Sequence, residues 1–171
     1  MNFLKSFVLI YALLFQQLAV AESASISSKN AIDRLILEQS FSDLKGVGRR
    51  LSDWPNKILV INFWASWCGP CVDELSDLNR IQTENSTIQI IGISTETFDE
   101  THRFIMLSDE EMRYPILIGE KKAMDIAYKF GNKNQTIPFT VIIDRKGKII
   151  KRINGRINKA ELTKFLSDQK N

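Results

Sequence analysis

The sequence predicts an α/β fold in which a central mixed β-sheet carries helices on both faces. Three observations lead to this prediction. Apolar runs recur at residues 58–63 and 88–93, as expected for strands that are buried on both faces. Segments with apolar residues at helical spacing lie between and after these runs. Near the end, residues 144–147 (D-R-K-G) separate two extended runs and indicate a closing antiparallel hairpin.

The first half of the chain predicts alternating helices and strands. Residues 31–39 show a weak helical pattern, and residues 41–54, which include two glycines, predict a short hairpin or an irregular entry. The run 58–63 then predicts one buried strand and the run 88–93 a second. Between them, a helix is indicated by apolar residues at helical spacing, namely Val72, Leu75, Leu78 and Ile81.

The second half continues this alternation and ends in the hairpin. Thr97 and the glutamate three residues later fit a capping box, which predicts a helix from there to about Leu107. The elements that follow are an extended piece at 115–118, a helix at 121–130, strands at 139–143 and 148–153, and a helix from Asn158. The order β-α-β-α-(β)-α-β-β-α implies parallel crossovers first and an antiparallel hairpin last.

Length and composition favour a single globular domain. A chain of 171 residues suffices for one domain and scarcely for two, and its 44% hydrophobic content allows a real core. The formal net charge is only +3, and no basic block alternates with aromatic residues, so nothing supports nucleic-acid binding. We therefore expect no nucleic-acid partner, and separately we expect no cofactor.

The N-terminus has the features of a secretory signal peptide. A positive charge precedes a short apolar run, and residues 19–21 (A-V-A) provide a cleavage site of the A-x-A type. We expect a signal peptide at 1–21, a polar N-terminal lead at 22–40 and the folded domain at 41–171. The run is short for a membrane span, which takes roughly 20 residues, and this favours a signal peptide over the alternative of an uncleaved N-terminal anchor. Export would place the domain in the periplasm, where disulfides persist.

The chain has two cysteines, Cys68 and Cys71, in the string W-C-G-P-C. They close a loop too short to restrict much of the unfolded chain, so a structural staple explains them poorly. Zinc needs about four ligands, and c-type haem attachment needs a histidine where Val72 stands. A cysteine protease would need the one histidine, His102, which fits a helix surface better. We therefore expect no metal site and no protease.

The pair lies where a buried strand is expected to end and a helix to begin, which suits thiol chemistry. A helix N-terminus offers unpaired N–H groups and a partial positive charge, and both favour a thiolate. We assign Cys68 as the attacking nucleophile and Cys71 as the thiol that resolves the mixed disulfide. Pro70 restricts the backbone between them, and Gly69 permits close approach of a partner. Trp67 is expected beside the site as an apolar wall, with the core as the alternative.

The string V-I-N-F-W-A-S-W-C-G-P-C resembles the thioredoxin superfamily, in which W-C-G-P-C is the characteristic active-site string. From about Phe41 to the end, the chain is similar to the TlpA/ResA-like exported thioredoxins. The similarity is carried by segments such as F-S-D-L-K-G, Y-P-I-L-I-G-E and I-P-F-T-V-I-I-D-R-K-G-K-I-I. It implies a thioredoxin fold with a TlpA-like N-terminal extension and central insert. The loop G-N-K-N-Q-T-I before Pro138 is longer than is usual in that family.

The resemblance also implies further site residues. The family has a cis-proline facing the cysteines, which Pro138 matches, and Ile137 would pair its backbone with an extended substrate. Tyr114-Pro115 is the competing X-Pro bond. Glu74 matches the family's glutamate three residues after the second cysteine, where a carboxylate could relay a proton; a solvated helix residue is the alternative. Asn62 replaces the buried aspartate of ordinary thioredoxins and cannot titrate, which favours Glu74 as the acid-base group.

The resemblance implies a periplasmic thiol-disulfide oxidoreductase that reduces disulfides in exported proteins. Apocytochrome c is one expected substrate, and a membrane thiol-transfer protein is the expected electron donor. The Gly-Pro dipeptide resembles reducing thioredoxins, near about −270 mV, more than strong oxidants near about −120 mV. The alternatives are a thiol oxidase on the same scaffold and a non-catalytic binding or chaperone module. A peroxiredoxin-type peroxidase is disfavoured because Ala65 stands where that family's T-x-x-C motif has threonine.

Overall fold

The computed structural model of the protein describes residues 35–169. The predicted signal peptide and most of the predicted N-terminal lead lie outside the described residues. At the start of the described part, residues 35–37 are helical, with Ile36 buried and Leu35 67% exposed, so the expected apolar face of this segment is only partly realised. Within residues 35–169, no helix has the length and apolarity needed to cross a membrane.

Seven strands form one mixed sheet. They are β1 (Ser40–Asp43), β2 (Gly48–Arg50), β3 (Ile58–Trp64), β4 (Ile88–Ser94), β5 (Ile116–Ile118), β6 (Phe139–Ile143) and β7 (Ile149–Asn154). Their spatial order is β2-β1-β5-β4-β3-β6-β7. The neighbours β3, β4 and β5 run parallel, whereas β6 and β7 form the antiparallel hairpin that the sequence predicts.

Helices cover both faces of this sheet, as predicted. They are α1 (Gly69–Asp73), α2 (Leu75–Glu84), α3 (Phe98–Leu107), α4 (Glu120–Lys129) and α5 (Lys159–Asp168), with a 3₁₀ turn at Leu51–Asp53. The capping box at the start of α3 is formed, since the Thr97 hydroxyl accepts from the Glu100 N–H and the Glu100 carboxylate accepts from the Thr97 N–H. Asn158 likewise caps α5.

The central strand β3 divides the core into two halves. Val60 and Trp64 face a cluster that includes residues of α2 and α5, whereas Ile61 and Phe63 face a second cluster that includes residues of α4. Successive side chains of a strand point to opposite faces, so a strand covered by helices on both sides is apolar at nearly every position. This is why the run at 58–63 lacks the polar alternation of a half-exposed strand.

Two features differ from the simple reading of the sequence. The hairpin of β1 and β2 is part of the central sheet, because β1 pairs with β5 and extends the sheet at that edge. The helical pattern after the cysteines is realised as two helices, since α1 ends and α2 begins at Glu74. Leu75, Leu78 and Ile81 are buried as expected, but Val72, on the short α1, is only half-buried. Hydrophobic spacing alone does not reveal such a break.

The topology brings three chain segments to one edge of the sheet. The parallel strands β3 and β4 both end there, at Trp64 and Ser94. The antiparallel β6 begins there, with Phe139 opposite Phe63. The loops that follow β3 and β4 and the loop that precedes β6 are therefore neighbours, and the cysteine motif lies in the first of them.

Candidate active site

Cys68 and Cys71 form a disulfide at the start of α1, with their Cα atoms 5.2 Å apart. Cys68 is the N-cap residue in extended conformation, and Cys71 lies within the first turn. Cys68 retains 7% exposure, whereas Cys71 is fully buried. An incoming sulfur can therefore reach Cys68 and not Cys71, which agrees with the order of attack expected from the sequence.

The residues around the pair form an exposed rim. Trp67 is 72% exposed, so the alternative that placed it in the core is wrong. Gly69 and Pro70 are also exposed, and a Cβ added at Gly69 would meet no atom within 4 Å. Pro70 lies in the first turn of α1, where a missing N–H costs no helical hydrogen bond. The rim thus combines an accessible aromatic ring with open backbone beside Cys68.

The Ile137–Pro138 peptide bond is cis, and it is the one cis bond among residues 35–169, so the competing Tyr114–Pro115 bond is not cis. Pro138 is buried and Ile137 is half-buried. Since Phe139 pairs with the end of β3, the cis bond lies at the same sheet edge as the cysteine motif.

The long loop before Pro138 is held by Asn132, which is fully buried. Its side-chain amide donates to the Thr136 carbonyl at 2.8 Å and accepts from the Thr136 N–H at 3.2 Å. Its own N–H donates to the carbonyl of Ala127 at the end of α4. The loop is therefore closed by one amide side chain.

Glu74 is fully buried, so the alternative of a solvated helix glutamate is wrong. Its Oε1 accepts from the Asn62 amide at 2.7 Å, and its Oε2 accepts from the Ile157 N–H at 2.7 Å. The Asn62 amide also donates to the Thr140 hydroxyl at 3.0 Å. The carboxyl group thus links the break between α1 and α2 to β3 and to the loop before α5.

Burial raises the pKa of the Glu74 carboxyl above its usual value, while the bonds from Ile157 and Asn62 oppose this rise. Tyr114 lies in the same half of the core, with its hydroxyl buried and without a hydrogen-bond partner. Burial, reinforced by the charges of Glu74 and Glu110, raises the pKa of the Tyr114 phenol above its ordinary range. In the interior beside the cysteines, burial therefore disfavours the charged forms of both Glu74 and Tyr114.

A second carboxyl group, Glu96, ties the cysteine loop to the end of β4. The Ser66 N–H donates to Glu96 Oε2 at 2.5 Å, and the Ser66 hydroxyl bonds Oε1 at 2.8 Å. Glu96 is only 9% exposed, and its own N–H donates to the Ser94 hydroxyl at 3.1 Å. Ser66 stands two residues before Cys68, so this pair sets the path of the chain into the nucleophile.

Sequence reasoning missed Ser66, Glu96, Thr140 and Asn132 as parts of the site. One signal was present for Glu96, because polar residues that follow neighbouring parallel strands meet at one sheet edge. Nothing in the sequence pairs it with Ser66, which lies 30 positions away. Within residues 35–169, no three His, Cys, Asp or Glu side chains are placed to hold a metal ion.

Comparison with known proteins identifies relatives over most of the chain. Residues 33–152 match the model of the AhpC/TSA family. The thiol-disulfide oxidoreductase ResA of Geobacillus kaustophilus is 30% identical over 138 residues, covering 75% of this chain and 72% of that protein. The thioredoxin-like protein YneN of Bacillus subtilis is 27% identical over 130 residues, covering 74% of each chain.

Solved structures show the same fold. A thiol:disulfide interchange protein DsbE from Chlorobium tepidum superposes with a TM-score of 0.68 at 21% identity, covering 77% of this chain and 92% of that one. A secreted disulfide oxidoreductase of Mycobacterium tuberculosis gives a TM-score of 0.64 at 18% identity, covering 77% and 96%. The expected thioredoxin-type arrangement of sheet and helices is confirmed.

Proposed function

Because the chain belongs to the AhpC/TSA family and is a thiol-disulfide oxidoreductase of the ResA type, we propose that it acts in the periplasm as a reductase of disulfides in exported proteins. The observation that best supports this proposal is the unequal exposure of the two cysteines at a helix N-terminus, since Cys68 alone of the two is accessible to a partner. Trp67, Gly69 and Pro70 form the surface that this partner contacts, and Ile137 and Pro138 complete it at the same sheet edge.

The reaction uses the reduced pair. The Cys68 thiolate attacks one sulfur of the substrate disulfide, a Cys68–substrate disulfide forms, and the other substrate sulfur leaves as a thiolate. Cys71 loses its proton and attacks Cys68, which closes the internal disulfide and releases the second substrate thiol. Two electrons pass from the protein to the substrate. The unpaired N–H groups at the start of α1 stabilise the Cys68 thiolate before attack.

Glu74 is the acid-base group of this cycle in our proposal. The resolving step needs a base for the Cys71 proton, and Glu74 lies three residues further along, where α1 ends. Its buried position and raised pKa suit a carboxyl group that takes up and releases a proton during the cycle. Asn62 and the Ile157 N–H hold the carboxyl group in place, and as donors they stabilise its charged form once the proton has left.

The direction of transfer and the partners follow from the motif and the compartment. The Gly-Pro dipeptide between the cysteines favours a reducing potential, and a reductant in an oxidising compartment needs a supply of electrons. We therefore propose a membrane thiol-transfer protein as the donor. The substrates are exported proteins with a wrongly formed disulfide, and apocytochrome c is a candidate.

Insulin reduction with dithiothreitol as electron source tests the activity. We expect the wild-type protein to accelerate precipitation of the insulin B chain and Cys68→Ser to abolish the acceleration. Cys71→Ser, reduced, freed of dithiothreitol and then mixed with insulin, should instead accumulate a covalent adduct between Cys68 and insulin, visible as a mass shift. If Cys68→Ser matched the wild type, the enzymatic proposal would be lost and a non-catalytic module would remain.

A further inference from the structure

A groove runs beside the cysteine motif between α1 and α3. It encloses about 500 Å³, and its wall on the cysteine side is formed by Ser66 and Val72. On the other side it is lined by α3, including Phe104 and Leu107. We propose that this α1–α3 groove binds a cationic, apolar segment of the protein whose disulfide is exchanged. This inference rests on the proposed function and adds a substrate preference to it.

The far wall of the groove exposes apolar surface. Leu107, which lines the groove, is 79% exposed. Phe104 is half-buried and packs on Trp64 with ring centroids 5.6 Å apart, so one edge of its ring is held in place. Leu107 and the accessible edge of Phe104 thus place apolar surface beside the reactive site, as is typical of surfaces that contact a partner.

The net charge around the groove is negative, which favours a positively charged partner. Residues 96–113 contain six carboxylates against two arginines, Arg103 and Arg113, and Arg113 forms an ion pair with Glu111. Glu96 and Glu100 lie in the groove wall with Arg103, and Asp99 is exposed in the same first turn of α3. Complementary potentials attract an oppositely charged partner and suppress the wrong one. A segment with Lys or Arg beside an apolar residue matches both properties of the groove.

The groove is connected to the nucleophile through Ser66. The bonds from Ser66 to Glu96 join the two walls of the groove, and Ser66 belongs to the loop that leads into Cys68. Two residues span at most about 7 Å of chain, so a segment lying in the groove passes close to the Cys68 sulfur. The groove lies on the β4 side of the cysteine loop, whereas Ile137 and Pro138 lie on the β6 side. A substrate can therefore contact the protein on both sides of its cysteine.

Two peptides with one internal disulfide test this preference. They share length and sequence, except that Leu-Lys-Lys beside one cysteine is replaced by Leu-Glu-Glu. The reduced protein is mixed with each peptide, and second-order rate constants are measured by quenched flow and mass spectrometry. We expect the cationic peptide to react about tenfold faster at low salt. The difference should shrink near about 1 M salt, where exposed charges are screened.

Variants assign the preference to the groove. Glu100→Gln removes one charge but keeps a residue that can form the capping box, and it should lower the cationic preference by about half. Glu84→Gln, at the far end of α2, is the matched control and should keep it. Leu107→Ser should slow both peptides about fivefold, as expected for losing part of a leucine contact. Leu35→Ser is its control, since Leu35 is a comparably exposed leucine in another part of the fold.

The neutral disulfide of 2-mercaptoethanol separates this inference from the proposed function. Each peptide rate is divided by the rate with this small disulfide, so a general loss of thiol reactivity cancels. Equal rates for the two peptides, or a Leu107→Ser ratio equal to that of the wild type, would contradict the proposed binding role of the groove. Neither result would contradict the oxidoreductase activity. If the wild-type protein did not react with the small disulfide at all, the proposed function would fail together with the groove.

Discussion

At the scale of single residues, Glu74 shows how a buried carboxyl group is kept beside the cysteines. Both its oxygens have a donor, the Asn62 amide and the Ile157 N–H. Asn62 cannot titrate, and it occupies the buried position on β3 from which it reaches both Glu74 and Thr140. Glu74 is therefore the ionisable member of this hydrogen-bonded set. Burial raises the pKa of its carboxyl group, and the two hydrogen bonds lower it.

Replacing Glu74 with glutamine tests this assignment through the pH dependence of stability. Because the folded pKa is raised, the native state binds more protons than the unfolded state. The free energy of unfolding of the wild type should thus fall as pH rises from the ordinary glutamate value, about 4.3, toward the raised pKa. Glu74→Gln should lack this fall. It should also be less stable at low pH by about 1–3 kcal/mol, because one amide oxygen cannot accept from both donors.

Urea titrations of both proteins from pH 4 to pH 8 give these slopes. Asp73→Asn is a suitable control, since Asp73 is an exposed carboxylate next to Glu74 in the chain. Parallel pH profiles for wild type and Glu74→Gln would contradict the assignment.

At the scale of elements, the site is assembled by loops that meet at one sheet edge. The Ser66–Glu96 pair joins the loop after β3 to the loop after β4, and Asn132 closes the loop before β6. The first of these contacts connects segments that are far apart in the sequence, and the spacing of hydrophobic residues predicts none of them. They explain how a loop that carries an exposed tryptophan still has a defined path into Cys68.

Glu96→Gln should weaken the joint between the two loops. The amide can still accept from the Ser66 N–H and donate to the Ser66 hydroxyl, but both hydrogen bonds lose the negative charge of the carboxylate, which makes them weaker. We expect a loss of about 1–2 kcal/mol in the free energy of unfolding, with slower insulin reduction. Glu100→Gln should change stability by less than about 0.5 kcal/mol. Equal stability for these two variants, measured by urea denaturation, would show that the Ser66–Glu96 pair contributes nothing.

Packing between β4 and its neighbours is tested at Gly92. A Cβ there would lie 2.8 Å from Ile116 Cδ1 and 3.2 Å from both Trp64 Nε1 and the Tyr114 ring. Gly92→Ala should therefore destabilise the protein by about 1–3 kcal/mol through overpacking. Gly69→Ala, which meets open space, should leave thermal stability nearly unchanged. A melting temperature for Gly92→Ala equal to that of the wild type would mean that the neighbouring side chains move to accommodate the added methyl group without loss of stability.

At the scale of the whole molecule, the sequence predicted the architecture and the reactive pair but not the polar contacts. The runs at 58–63 and 88–93 and the capping box at Thr97 are local signals, and each appears as the expected element. The cis bond before Pro138 was expected from a resemblance, because no local property distinguishes it from the bond before Pro115. The partners of Glu74 and Glu96 could not be predicted, since Ile157 and Ser66 become neighbours only when the fold is complete.

The central claim, that the protein is a reductase, is tested most directly by the midpoint potential of the Cys68–Cys71 pair. The protein is equilibrated at pH 7 in glutathione or dithiothreitol buffers, and the reduced fraction is measured after alkylation. We expect a value well below about −200 mV, in the range of reducing thioredoxins at about −270 mV. A value near about −120 mV, as in strong oxidants, would contradict it and make the protein a disulfide donor.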